Sequence, residues 1–296
     1  MLTAQDREKI HPSLRSKMIE VQGNLLHVVQ AGPEDGPMVL LLHGFPEFWY
    51  GWRHQIGWFA EAGYTVWAPD QRGYNLSGKP QAVSQYRMDA LVGDVIGLIE
   101  ASGRAQVHLI GHDWGAAVAW WTAASHASRV RKLGILNVPH PVALRTALRE
   151  SWAQRFKSWY IAFFQIPWLP EVLLSTLGPG WLLRGSSKSN TFTADEIQRY
   201  KQAWSQKGAL TGMLAWYRAA FRNLNSSLTT GRITMPTLIL WGDRDVALDK
   251  RAADNSLRWC KQGRIIHYPD ATHWLQHDKA DAVNHELLKF IRSKDQ

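Results

Sequence analysis

The sequence predicts an α/β protein: a mostly parallel sheet flanked by helices, with a helical segment inserted between two sheet-forming stretches. Three observations carry that prediction. Short apolar runs that do not alternate, as in "PMVLLLHG", read as strands buried on both faces. They take turns with stretches of helical spacing, the rhythm of β-α units. After Pro139 the rhythm stops, and it resumes only at "MPTLILWGD", from Met235.

Taken in order, "SKMIEVQ" and "NLLHVVQAG" predict two strands joined by a tight turn at Gly23-Asn24. "PMVLLLHG" is the first buried strand, followed by an amphipathic helix over residues 49–62. "YTVWAPD" is the next strand; Leu91, Val95, Leu98 and Ile99 then mark one face of a helix over 88–102. "AQVHLIG" is a strand, 114–127 a helix, and "VRKLGILNV" a strand. Residues 140–232 read as helical and aromatic, punctuated by "IPWLP", "LGPGW" and "RGSSKSN". Beyond them come the strand in "MPTLILWGD", a helix near 249–259, the strand "GRIIHYPD" and a last helix over 278–291. The expected organisation is a core of residues 1–139 and 233–296 with a helical cap of residues 140–232.

Composition narrows the class. With 45% apolar and 20% charged residues the chain is expected to be soluble and globular. No stretch approaches the roughly 18 apolar residues of a membrane span, and no secretory signal is visible. The single cysteine, Cys260, excludes an internal disulfide framework and fits a reducing, cytoplasmic setting. The net charge of +9 lies mostly within residues 140–231, which also hold Trp152, Trp159, Trp168, Trp181, Trp204 and Trp216. Basic plus aromatic residues suit nucleic acid or an anionic membrane surface. Without a basic run or a nucleic-acid motif, the sequence favours a solvated basic face over a tryptophan-filled core, with membrane contact the lesser alternative.

The chemistry centres on "LIGHDWGAAVAW". A strand meets a helix at Gly111-His112-Asp113-Trp114-Gly115, with glycines on both flanks. This is the pattern of a nucleophile elbow, whose sharp turn pushes the central side chain into the open. The competing reading is that Asp113 merely caps the helix. In an elbow the oxyanion donors are the backbone N–H groups of Trp114 and of Phe45 in "HGFPE". A triad then needs an acid and a histidine, in that chain order. "LILWGDRDVALD" offers Asp243 and Asp245. "HYPDATHWLQHD" offers His267, His273 and His277. His273 falls in the loop just past the last strand, whereas His267 lies inside that strand and His277 close to the start of the last helix, where each reads as structural.

The carboxylate selects the reaction. Attack of Asp113 on an ester would give a mixed anhydride and gain little. Attack on a saturated carbon gives an alkyl ester, which water activated by His273 can hydrolyse. The expected substrates are epoxides or alkyl halides. An epoxide oxygen wants a proton donor such as a neutral tyrosine, and a halide wants N–H donors.

At this point the chain resembles the α/β-hydrolase-fold epoxide hydrolases, over residues 18–292. "HGFPEFWYGWRHQ", "DQRGYNLSGKP", "GHDWGAAVAW" and "NVPHP" carry the resemblance. It implies the α/β-hydrolase fold with a helical cap, and an epoxide substrate. Asp113 is implied as nucleophile, Asp245 as charge-relay acid and His273 as base. Tyr160 in "WYIAFFQIPWLPE" and Tyr217 in "MLAWYRAAFRN" match the pair that binds and protonates the epoxide oxygen. Phe45, Pro46 and Trp114 would join these tyrosines in binding substrate, and the Phe45-Pro46 peptide is expected to be cis. Asn75 stands where many relatives have Gly, a place for positive φ that Asn tolerates. No metal, no organic cofactor and no nucleic-acid partner is implied. A haloalkane dehalogenase is the first alternative; Phe45, whose side chain cannot donate to a halide, stands against it. A catalytically silent protein of the same fold is the second.

Overall fold

A computed structural model describes residues 2–222 and 231–294. Eight strands form one sheet: β1 Arg15–Val21, β2 Asn24–Ala31, β3 Met38–Leu42, β4 Thr65–Pro69, β5 Val107–His112, β6 Val130–Leu136, β7 Thr237–Gly242 and β8 Gly263–Tyr268. Their order is β1-β2-β4-β3-β5-β6-β7-β8. β1 and β2 pair antiparallel, as do β2 and β4; every pairing from β4 through β3 to β8 is parallel. Every residue of β3 and β7 is buried, which is why those strands read as unbroken apolar runs.

The turn between β1 and β2 falls one residue earlier than expected. Val21 pairs with Asn24, so the turn residues are Gln22 and Gly23, with φ of 51° and 72°. Both central residues are left-handed, the geometry that suits a two-residue hairpin.

The helices are α1 Ala4–Lys9, α2 Arg53–Glu61, α3 Met88–Ala101, α4 Trp114–Ser125, α5 Pro141–Glu150, α6 Trp152–Lys157, α7 Trp159–Phe163, α8 Leu169–Ser186, α9 Ala194–Trp204, α10 Ala209–Arg222, α11 Lys250–Ser256, α12 Leu275–Asp278 and α13 Ala280–Arg292. α1 was not foreseen. It carries no apolar stripe and is fixed instead by a capping box between Thr3 and Asp6. α5 to α10 fill the predicted helical segment; residues 223–230, inside the expected cap, lie outside the described residues. α8 is two helices joined at Gly178, which takes φ 72° just before Pro179.

The sheet divides the core in two. One apolar cluster joins β3, β5 and α4 to Trp216 and Tyr217 of α10, and the other packs α2 and α13 on the opposite face. Tryptophans of the helical segment do not fill a core as expected. Trp204 and Trp216 are buried, whereas Trp152, Trp159, Trp168 and Trp181 are exposed.

β3 pairs with β4 on one side and β5 on the other, so connections leave it in opposite directions. In an open parallel sheet such a switch opens a crevice at the carboxyl ends of the strands. Asp113 follows β5 at that crevice, and the loop 43–47 follows β3.

Candidate active site

Asp113 joins β5 to α4 with φ 48° and ψ −124°, a conformation that costs a non-glycine residue of order 1–3 kcal/mol. Its neighbours explain the glycines around it. A Cβ on Gly115 would collide with the carbonyl of Leu42, and one on Gly44 with the side chain of Asp113 itself. The turn closes only because these positions carry no side chain. The Asp113 carboxylate makes no cap bond to α4, so the competing role as a simple helix cap does not describe it.

Instead Asp113 Oδ1 accepts a hydrogen bond from the Phe45 backbone N–H at 2.7 Å. The backbone N–H of Trp114 lies near enough to favour the carboxylate's charge. Oδ2 faces His273 Nε2 at 3.4 Å. On its other side His273 Nδ1 meets Asp245 Oδ2 at 2.7 Å. Asp245 is itself fully occupied: its Oδ1 accepts the N–H groups of Ala247 and Leu248, at 2.7 and 2.9 Å, and Asn137 Nδ2 donates to Oδ2 at 2.8 Å. The other candidates lie elsewhere. Asp243 pairs with His267 at 2.6 Å, and His277 pairs with Glu47 at 2.8 Å.

The electrostatics follow from this wiring. Burial alone would raise the pKa of Asp113, but hydrogen bonding and charge from His273 outweigh it and hold the carboxyl below its usual value. Burial likewise acts to lower the pKa of His273. The Asp245 charge and the hydrogen bonds with both carboxylates prevail and push it up to about 10. Asp113 and His273 thus rest as an ion pair.

Tyr160 and Tyr217 come from α7 and α10 and face one another with ring centroids 5.9 Å apart. Burial and the Asp113 charge raise both phenol pKa values, so both stay protonated at neutral pH. Tyr217 also packs edge-on against the rings of Trp114 and Phe45, at 5.1 and 5.2 Å. A cavity of about 110 Å³ is lined by Asp113, Trp114, Tyr160 and Tyr217. A second cavity of about 270 Å³ shares a wall with it, formed by Trp114, Ala117, Val138, Leu144 and Leu148. The Phe45-Pro46 peptide is cis. Neither residue lines the smaller cavity: Phe45 reaches the site through its backbone N–H, and the carbonyl of Pro46 accepts from the Trp204 indole at 2.9 Å. Asn75 takes φ 40° and donates to Asp70 at 2.8 Å.

Several site residues were not singled out from the sequence. Glu47 is fully buried and accepts hydrogen bonds from Tyr200 of α9 (2.7 Å), Gln276 (2.9 Å) and His277 (2.8 Å). His112 Nδ1 lies 3.3 Å from it, while His112 Nε2 donates to the His273 carbonyl at 2.8 Å. Asn137, at φ 53°, ties Asp245 to β7 through Gly242. The only sequence signal for these was their place inside quoted motifs, "HGFPE", "GHDWG" and "NVPHP".

A family model described as alpha/beta hydrolase fold matches residues 37–280. The chain is 42% identical to the AB hydrolase superfamily protein YfhM of Bacillus subtilis, over 95% of this chain and 99% of that one. It is 36% identical to human epoxide hydrolase 4, over 93% of this chain and 78% of the relative. Among solved structures, epoxide hydrolase A from Mycobacterium thermoresistibile superimposes with a TM-score of 0.83 at 31% identity, covering 96% of this chain and all of that one.

Proposed function

Because the chain belongs to the alpha/beta hydrolase fold family, and within it to the epoxide hydrolases, we propose that it opens an epoxide to a vicinal diol through a covalent ester on Asp113. The observation that carries this reading is the division of labour on one carboxylate. Oδ1 is held by the Phe45 N–H, and Oδ2 is left to His273 on a residue that lines the cavity. Oδ2 is therefore the attacking atom.

In the first step Oδ2 bonds to an epoxide carbon from the back and the C–O bond breaks. The leaving oxygen takes a proton from the Tyr160–Tyr217 pair. Alkylation removes the Asp113 charge, one of the causes that hold the proton on His273. His273 yields that proton, which restores the phenol, and can then serve as a base, oriented by Asp245. It takes a proton from water, whose oxygen attacks the Asp113 carboxyl carbon. The charge that builds on Oδ1 is met by the N–H groups of Phe45 and Trp114. The ester breaks at the bond from the carboxyl carbon to Oδ2. The diol leaves with the proton that His273 took from water, and the second water proton, shed as Asp113 ionises again, returns to His273 and restores the ion pair. The helices of 140–232 act as the cap that supplies both tyrosines, and the cavity behind Leu144 and Leu148 gives the rest of the substrate room.

His273→Gln tests the scheme. Incubated with a panel of epoxides and alkyl halides, it should gain the mass of a whole epoxide, mapped to Asp113. A gain of an alkyl group with release of halide would make the chain a dehalogenase. No adduct, together with an inactive parent, would refute the ester. In the parent background, Tyr160→Phe with Tyr217→Phe should lower turnover by about 10²–10⁴-fold; unchanged turnover would remove the tyrosines from the scheme.

A further inference from the structure

We propose that the outer face of α6, α7 and α8 docks on the surface of an anionic lipid bilayer. Trp152, Phe156 and Trp159 recur at helical spacing and are 70%, 74% and 64% exposed. Trp168 and Trp181 follow on α8 and its cap, also exposed. Single exposed apolar residues are ordinary; this many, on three consecutive elements, are not. Trp168 is moreover held at φ 51°, in the left-handed region that a bulky residue seldom occupies. The backbone there is bent in a way that presents an indole to solvent.

Charge selects the partner. Residues 141–188 contain six Lys and Arg against two Glu, with no Asp. Glu171 is spent on Arg218 at 2.6 Å, Lys188 on Asp270 at 3.1 Å, and Lys157 on the carbonyls of Asp245 and Leu248, which leaves Arg145, Arg149, Arg155 and Arg184 exposed against Glu150. The Arg155 guanidinium lies over the Trp152 ring at 4.6 Å. Indoles settle where hydrocarbon meets headgroups, and basic side chains beside them draw anionic lipid. Among the described residues no helix is long and apolar enough to cross a membrane, so the contact lies on the surface. The same elements turn Ser158, Tyr160 and Ile161 inward to the cavity, which places the bilayer just outside the wall of the site. The docking stands whether or not the reaction proposed above is right.

Co-sedimentation with phosphatidylcholine vesicles, made with and without phosphatidylserine, tests it at low and high salt. The protein should bind the phosphatidylserine vesicles, and binding should weaken as salt rises. Trp152→Ser, Phe156→Ser and Trp168→Ser combined should lower that binding at least about tenfold; Trp159 is spared because it neighbours Tyr160. An unchanged urea midpoint shows that the variant is folded. Arg149→Glu with Arg184→Glu should lower binding only to the anionic vesicles. No binding by the parent protein, equal binding to both vesicles, or full binding by the triple variant would each overturn the proposal. So would a lipid-free dimer that the triple variant breaks, since the face would then belong to a second copy.

Discussion

Asp245 shows how closely the site depends on single donors. It is fully buried, and its charge is tolerable only because every lone pair facing the protein is used. Asn137→Ala removes one donor to the oxygen that also holds His273. A hydrogen bond to a charged group is worth about 1.5–3 kcal/mol, so ester breakdown should slow by roughly 10–100-fold. Ester formation, which does not use His273 as a base, should change much less. Single-turnover kinetics that resolve the two steps would check this; equal slowing of both would contradict it. Asp113 and His273 could be read from the sequence because a glycine-flanked turn and a fixed chain order announce them. Asn137 and Glu47 could not: Asn137 bonds Asp245, 108 positions on, and Glu47 meets His112, Tyr200, Gln276 and His277, and no local pattern records such contacts.

At the level of elements, the β5–α4 junction is the least tolerant part of the fold. Gly115→Ala adds one methyl against the Leu42 carbonyl, which belongs to a buried strand with no room to move. Overpacking of this kind costs about 1–3 kcal/mol. The urea midpoint should fall accordingly, and an unchanged midpoint would show that the junction has slack. The buried strands were legible because both of their faces are apolar. α1 was not, since its order comes from a cap and from the ion pair of Asp6 with Arg199 on α9. The helical segment was read correctly as helical and wrongly as a tryptophan core, because the spacing within one helix shows how its residues repeat but not which face a neighbour covers.

For the molecule as a whole, buried neutral histidines set its response to acid. Burial lowers the pKa of His140 to about 4. Burial likewise lowers that of His43, which is fully enclosed. The unfolded chain takes up these protons near pH 6.5 while the folded chain refuses them. Stability from these groups is therefore complete above pH 6.5 and declines as pH falls towards 4. Urea midpoints measured from pH 7 to pH 4 should fall steadily. His140 Nδ1 accepts the Val142 N–H at the start of α5, a bond that Asn can replace; His140→Asn should make the decline shallower. A midpoint flat with pH would refute the reading. Glu47 has a consequence of another kind. Three of its partners stand 153, 229 and 230 positions along the chain. During synthesis its charge waits for them until residue 277 has been made. The pocket is thus among the last features a growing chain can complete, and catalytic competence should arrive together with the finished fold rather than ahead of it.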